Sequence, residues 1–280
     1  MDFALSEEQT AIFDMARDFG ASHIAPFARE WEAAGEIPKS LWPQLAELGF
    51  GGLYVREESG GSGLSRLDAT LVFEALSMAC PTVASFLSIH NMCAAMIDKF
   101  GSPALRDKYL PRALSMETFF SYCLTEPGSG SDAAALKTKA LKSNTDFTLT
   151  GTKAFISGGG YSDAYIIMAR TGDDSPKGIT ALIVEDGAEG LSFGGLEDKM
   201  GWNSQPTAQV IFENCKVPIK NLIGKEGEGF KIAMQGLDGG RINIASCSLG
   251  AARICLEKSL DYVNDRTQFG KKIADFQATQ

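Results

Sequence analysis

The densest run of chemically capable residues is Tyr122-Cys123-Leu124-Thr125-Glu126-Pro127-Gly128-Ser129-Gly130-Ser131-Asp132. Its successive amide N–H groups, with the Thr125 and Ser131 hydroxyls, can hold a pyrophosphate or the polar edge of a planar ring. Ordinary turns share this composition, and a glycine-rich loop marks a dinucleotide site only with a strand before it and a helix after it. The loop alone therefore leaves both readings open. Metal chemistry is disfavoured: Cys80, Cys93, Cys123, Cys215, Cys247 and Cys255 form no C-x-x-C pair, and His23 and His90 are the only imidazoles. All six cysteines read as buried, reduced thiols.

The elements that must position this loop follow from periodicity. Ser6 with Gln9 makes a capping box, and Ile12, Met15, Ala16 and Phe19 follow at helical spacing. Leu41, Leu45 and Leu48 repeat the pattern up to Gly49, and Ser65 opens a segment in which Leu67, Leu71, Ala75 and Met78 share a face. Met92, Met96 and Phe100 close another helix, and a short one should run from Ser102-Pro103 to a stop at Pro111. Residues 1–118 thus read as an all-helical domain.

Beyond Thr118 short β-branched and aromatic runs take over at Phe147–Leu149, Tyr165–Met168, Ile179–Val184 and Val210–Phe212. No long helices separate them, so residues 119–226 are expected to form an antiparallel β-barrel or sandwich, not a Rossmann sheet. Helical spacing returns from Gly227 to about Asn264, the start of a third, incomplete helical domain over 227–280. That helix carries Gly236, Gly239, Gly240 and Gly250, each costing about 1 kcal/mol relative to alanine. Close helix packing or room left for a ligand would each compensate.

The 280 residues carry a net charge of −9, which argues against a nucleic-acid partner or an anionic membrane surface. No apolar run reaches the roughly 18 residues of a membrane span. MDFALSEEQT has neither a signal-peptide core nor a transit-peptide pattern, so the chain reads as soluble and intracellular.

Over its whole length the sequence resembles the acyl-CoA dehydrogenases, through the YCLTEPGSGSD loop, the KAFISGGG strand and the GLDGGRINIAS helix. Within that family Gly201-Trp202-Asn203-Ser204-Gln205-Pro206-Thr207, Ser88-Ile89-His90-Asn91-Met92-Cys93 and Gly239 to Ser246 place it nearest the isobutyryl-CoA branch. The resemblance implies a fold of N-terminal helices, a middle β domain and the start of a C-terminal helical bundle. It implies FAD against Tyr122, Cys123, Leu124, Thr125, Glu126, Pro127, Gly128, Ser129, Gly130 and Ser131, and against Phe155, Ile156 and Ser157. Arg266, Phe276 and Gln277 match positions that reach FAD across a subunit interface; for Arg266 alone a solvated helix-end charge is the competing reading. Acyl-CoA is expected along Ser131 and Asp238-Gly239-Gly240-Arg241, where Arg241 can serve as a planar cationic donor and Asp238 as an acceptor. His90 and Met92 lie on the helix expected to floor the acyl pocket, with a plain core role equally open to each.

The implied reaction is α,β-dehydrogenation of a short branched acyl-CoA, isobutyryl-CoA to methacrylyl-CoA in valine catabolism. Electrons would pass to an electron-transfer flavoprotein, the assembly would be a homotetramer, and the location a bacterial cytoplasm or, in a eukaryote, the mitochondrial matrix. The sequence departs from the family at one place that matters. The resemblance puts the catalytic Glu of this branch beyond Gln280, and the alternative position used by some relatives is Gly240, which cannot accept a proton. Glu126 and Asp238 read as turn-stabilising or ligand-binding rather than as substitutes, so no catalytic base is assigned. Ala274 to Gln280 read as the opening of another amphipathic helix, as if cut mid-element, which would leave apolar faces of the last helix without partners. Two further readings stand beside the dehydrogenase: a non-catalytic flavin- or acyl-CoA-binding remnant, and a flavin oxidase that hands electrons to O2.

Overall fold

The computed structural model describes residues 4–280. Helices α1 (Glu7–Phe19), α2 (Ala28–Ala34), α3 (Leu41–Glu47), α4 (Arg66–Ala79), α5 (Pro81–Phe100) and α6 (Pro103–Leu114) come first. Both expected N-caps are present: Ser6 accepts from Gln9 N and Ser65 from Asp68 N. Helix α5 is buried on nearly every side, as befits the helix at the centre of the bundle. Pro111 does not stop α6, which runs on to Leu114. Pro111 and Asp107 both face solvent, so water can serve the Asp107 carbonyl that proline leaves unpaired, while Leu110 and Ala113 stay buried on the other face.

Strands β1 (Phe120–Cys123), β2 (Lys139–Lys142), β3 (Asp146–Ser157), β4 (Ala164–Arg170), β5 (Ile179–Glu185), β6 (Leu191–Leu196), β7 (Thr207–Pro218) and β8 (Leu222–Ile223) form one sheet in the order β6-β7-β3-β2-β4-β5-β8. The sheet is not purely antiparallel as expected. Strand β1 lies parallel to β4, Phe120 opposite Ala164 through Cys123 opposite Ile167, and β2 also touches β4 in the parallel sense. Here α6 leads directly into β1, which borders a strand that arrives only after the β2–β3 hairpin. That hairpin does the work of a crossover helix.

Strand β4 shows how the layers meet. Ala164, Ile166 and Met168 enter a core shared with α5, α6 and the next helix, whereas Tyr165, Ile167 and Ala169 enter a core formed within the sheet. Burial on both faces explains its unbroken apolar run. A third core, around Trp42, Phe50, Phe73 and Phe86, joins α1, α3, α4 and α5.

Helix α7 (Gly229–Asp265) is continuous for 37 residues. Its N-terminal half packs on α4 and α5; from Ala251 onward its residues are mostly exposed. Cys255 lies on this part and is exposed, so the expectation of six buried thiols holds for five. The last residues do not open an amphipathic helix. Strands β9 (Thr267–Gln268) and β10 (Lys271–Lys272) pair across Phe269-Gly270, both with positive φ, and a single 3-10 turn Ile273–Asp275 follows. Two successive left-handed residues favour that hairpin turn over a helix. Among the described residues no helix is long and apolar enough to cross a membrane.

Candidate functional site

The loop after β1 is held from inside. Glu126 N donates to Ser129 O (2.9 Å) and Ser129 N to Glu126 O (3.1 Å), closing a tight turn on Pro127-Gly128. The Glu126 carboxylate turns inward, 8% exposed, and accepts from Lys153 Nζ (2.8 Å), Thr138 N (2.9 Å) and Lys137 N (2.6 Å). Lys153, fully buried on β3, gives a further hydrogen bond to Leu124 O at 3.0 Å. Burial pushes the Glu126 carboxyl up, but the Lys153 charge and these hydrogen bonds outweigh it and leave it below the usual range. Burial likewise pulls Lys153 down, opposed by Glu126. Glu126 therefore stays an anion engaged in turn-holding, as expected, and is not available as a base.

Three hydroxyls around this corner make no hydrogen bond within the described residues: Thr125, Ser131 and Ser157. The Tyr122 hydroxyl is buried without a partner, and burial holds the phenol well above its ordinary range. Cys123 is fully buried, its thiol also pushed up by burial. A Cβ added at Gly128 or Gly130 would meet nothing within 4 Å. Neither has a positive φ, so neither conformation nor packing within the described residues requires glycine there, and the backbone of both is open. Free donors over open backbone suit the phosphates and ring edge of FAD.

Phe155 sits on a β-bulge where β3 slips against β7, with φ +57° and 66% of its surface exposed. The bulge turns Phe155 out while Ile156 stays buried and Ser157 faces a cavity of about 280 Å³. Ser85 and Ile89 of α5, Ile244 of α7, and Lys199, Trp202, Gln205 and Thr207 line the rest. The connecting loop is fixed at two points. Glu32 accepts from Asn203 N (2.8 Å) and Ser204 N (3.1 Å), and Lys199 Nζ donates to Trp202 O (2.7 Å), Gln205 O (2.5 Å) and Thr207 Oγ1 (2.9 Å). No carboxylate lines this cavity.

The α7 glycines divide between the two explanations left open by sequence. A Cβ at Gly250 would fall 2.0 Å from Glu74 O, fixed backbone, so Gly250 serves close packing; at Gly236 and Gly239 it would meet the flexible ends of Met96 (Cε, 2.1 Å) and Arg66 (Cζ, 2.5 Å), which fill the space those glycines leave. At Gly240 the nearest atom is Met92 Sδ at 3.7 Å, an ordinary contact, and the missing side chain leaves space. Asp238 and Arg241 are exposed beside it. Arg66 stacks 3.9 Å over the Tyr54 ring, and Asn243 Nδ2 donates to Tyr54 OH at 3.2 Å, tying this stretch of α7 to α4.

Met92 lines a smaller cavity with Tyr54, Arg66, Met96 and Gly236, whereas His90 is fully buried. His90 Nδ1 accepts from Phe120 N (3.1 Å) and Nε2 donates to Ala113 O (2.9 Å), so the neutral ring pins β1 to α5 and α6. Burial pulls its pKa down to about 4. Arg266, Phe276 and Gln277 are not engaged with the loop: Arg266 caps α7, and Phe276 packs on Phe269 and under Lys271. Sequence reasoning missed Lys153, Lys199, Glu32 and Arg66. For Lys153 the available signal was a charge within the short β run Ala154-Phe155-Ile156 beside a loop bearing one acid.

Three family models match in chain order: acyl-CoA dehydrogenase, N-terminal domain, over residues 6–117; middle domain over 121–215; and C-terminal domain over 227–280. The mitochondrial isobutyryl-CoA dehydrogenase of Dictyostelium discoideum is 54% identical over 277 residues, an overlap spanning 99% of this chain and 67% of that relative. Butyryl-CoA dehydrogenase from Megasphaera elsdenii superposes with a TM-score of 0.94 at 40% identity, over 100% of this chain and 74% of that one. The FAD complex of PigA superposes with a TM-score of 0.93 at 30% identity, covering 99% of this chain and 74% of its own.

Proposed function

The chain belongs to the acyl-CoA dehydrogenase family, and from that premise we propose that it takes part in FAD-dependent α,β-dehydrogenation of a short branched acyl-CoA, isobutyryl-CoA first among them. The observation that carries this is the corner where the free Thr125, Ser131 and Ser157 hydroxyls meet open backbone at Gly128 and Gly130. There the hydroxyls and loop amides donate to FAD, the exposed Phe155 ring gives it an apolar wall while Ile156 anchors the strand in the sheet core, and Tyr122 offers the buried donor. When bound, FAD supplies the two-electron acceptor for the β-hydrogen.

The chain's own residues bind and orient. Asp238 and Arg241 take the CoA arm, and the space at Gly240 admits the thioester between α7 and the loop. Ile89, Trp202 and Ile244 suit a short branched acyl group, one methylene more or less being worth about 1 to 3 kcal/mol. The α-proton needs a carboxylate, and the cavity beside Ser157 offers none. In this reading the acceptor comes from the part of its relatives' length that this sequence, about two thirds as long, does not contain. Arg266, Phe276 and Gln277 reach FAD only on a neighbouring copy, in the homotetramer, and an electron-transfer flavoprotein is the electron acceptor.

The lack of an acid in the cavity also favours a second reading, in which these residues bind flavin and acyl-CoA without turnover. Anaerobic titration of the flavin-loaded chain with isobutyryl-CoA tests both. Perturbed but unbleached flavin absorbance is expected from these residues alone; bleaching would show a working base among them, and no spectral response at all would remove acyl-CoA as the ligand.

A further inference from the structure

We propose that Lys153 and Glu126 are positioning residues: their buried pair locks the loop Tyr122–Asp132 in register with the β3 segment Phe155–Ser157, and so presents the hydroxyls of both to one ligand. The inference rests on the FAD reading above and goes beyond it by naming what holds the two halves of that site together.

The two halves belong to different elements. The loop follows β1, whereas Phe155–Ser157 end β3; the β3–β7 ladder slips between Lys153 and Ile156, at Phe155, and resumes at Ile156 opposite Ala208 and Ser157 opposite Thr207. That ladder sets β3 against β7, not the loop against β3. Ala154 N donates to Thr125 O at 2.9 Å, one direct link. Ser121 Oγ, on β1 just before the loop, donates to Ser157 O, and the pair joins the loop itself: Lys153 Nζ bridges Leu124 O (3.0 Å) and Glu126 Oε1 (2.8 Å), on either side of Thr125. Thr138 N shares Oε1 with Lys153 (2.9 Å) and Lys137 N takes the other oxygen, Oε2 (2.6 Å), so one anion gathers the loop, the approach to β2 and β3.

Each group is used for its chemistry. An ammonium, with three N–H donors and a full charge on a flexible stem, serves a carbonyl and a carboxylate together and neutralises the latter. Only a carboxylate, an acceptor on both oxygens, can face two amide N–H groups and an ammonium at once. Glutamine at 126 would turn an NH2 group toward one of those donors, and methionine at 153 would leave the Leu124 carbonyl without its partner. A neutral pair of similar volume can therefore fold without reproducing the loop, since exchanging a buried ion pair for neutral groups often leaves stability intact.

The test is FAD binding, followed by flavin fluorescence, alongside denaturant unfolding of the same proteins without FAD. Lys153→Met and Glu126→Gln are each expected to lose both stability and affinity. The double variant Lys153→Met/Glu126→Gln is expected to recover stability while still binding FAD about tenfold or more weakly than the parent. Recovery of affinity together with stability would overturn the proposal and reduce the pair to a fold-holding role. If the parent itself takes up no FAD, the flavin reading fails and the proposal with it, an outcome distinct from a parent that binds and a double variant that binds equally well.

Discussion

The corner where β1, the loop and β3 meet and the far half of α7 sit at opposite ends of the organisation this chain can achieve with its own contacts. At the corner a fully buried lysine, a nearly buried glutamate and the amides around them satisfy one another. Along α7 beyond Ala251, Leu256 is 61% exposed, Leu260 51% and Tyr262 62%. The earlier half of the same helix is tightly seated: Gly250 lets the α4 backbone come close at Glu74, and the side-chain ends of Arg66 and Met96 fill the space at Gly239 and Gly236. The contrast teaches that the proposed flavin-facing residues are arranged locally, by groups within the described residues, whereas the distal helix contributes little packing energy in this chain.

Changing pH gives the largest expected effect on the organised side. His90 fits only as the neutral ring, with Phe120 N–H directed at Nδ1, and its pKa is pulled down to about 4 by burial. Between pH 6.5 and 4 the folded chain binds fewer protons than the unfolded one. The contribution is therefore full above about pH 6.5 and is lost as the pH falls through that window, by roughly 3 kcal/mol in all. Urea unfolding at pH 7 and pH 4.5 checks it: a His90→Gln chain should show a smaller fall than the parent, and equal falls would contradict the assignment.

A paired substitution sharpens the comparison within α7. Gly250→Ala drives a Cβ to 2.0 Å from Glu74 O, and should cost about 1 to 3 kcal/mol through forced separation of α4 and α7. Gly240→Ala meets only Met92 Sδ at 3.7 Å, and should stabilise by up to about 1 kcal/mol through helix propensity, while weakening acyl-CoA binding if the space is used by substrate. Thermal unfolding of the two variants should thus move in opposite directions. The smallest effect belongs to the exposed half: Leu256→Ser should change unfolding free energy by no more than about 0.5 kcal/mol, and a loss comparable to Gly250→Ala would show that the distal helix has a partner in solution.

Much of this contrast could be read from sequence, because it depends on local chemistry. The capped helices α1 and α4, the apolar run of β4 and the hydroxyl loop were all legible, the loop through composition and the family resemblance together. What escaped depended on contacts distant in sequence. The parallel seat of β1 beside β4 is decided by three-dimensional layering, and Pro111 survives inside α6 because its face happens to be wet. Lys153 drew no assignment from sequence because its partner, Glu126, lies 27 residues earlier and is brought inside with it only by the fold. The four α7 glycines are alike in sequence, and only their neighbours separate Gly250, against fixed backbone, from Gly236 and Gly239, against movable side-chain ends, and from Gly240, which leaves space. Cys255 is exposed because no element among the described residues covers its face of α7.

The central claim is that the loop and the end of β3 together form one flavin-holding surface. Its most direct test is equilibrium FAD titration of the parent and of a chain carrying Thr125→Val, Ser131→Ala and Ser157→Ala, with circular dichroism to confirm equal folding. Three lost hydrogen bonds at about 1 kcal/mol each predict binding weaker by roughly a hundredfold. Equal affinity in the two chains would contradict the account, since the free hydroxyls would then have no part in holding FAD.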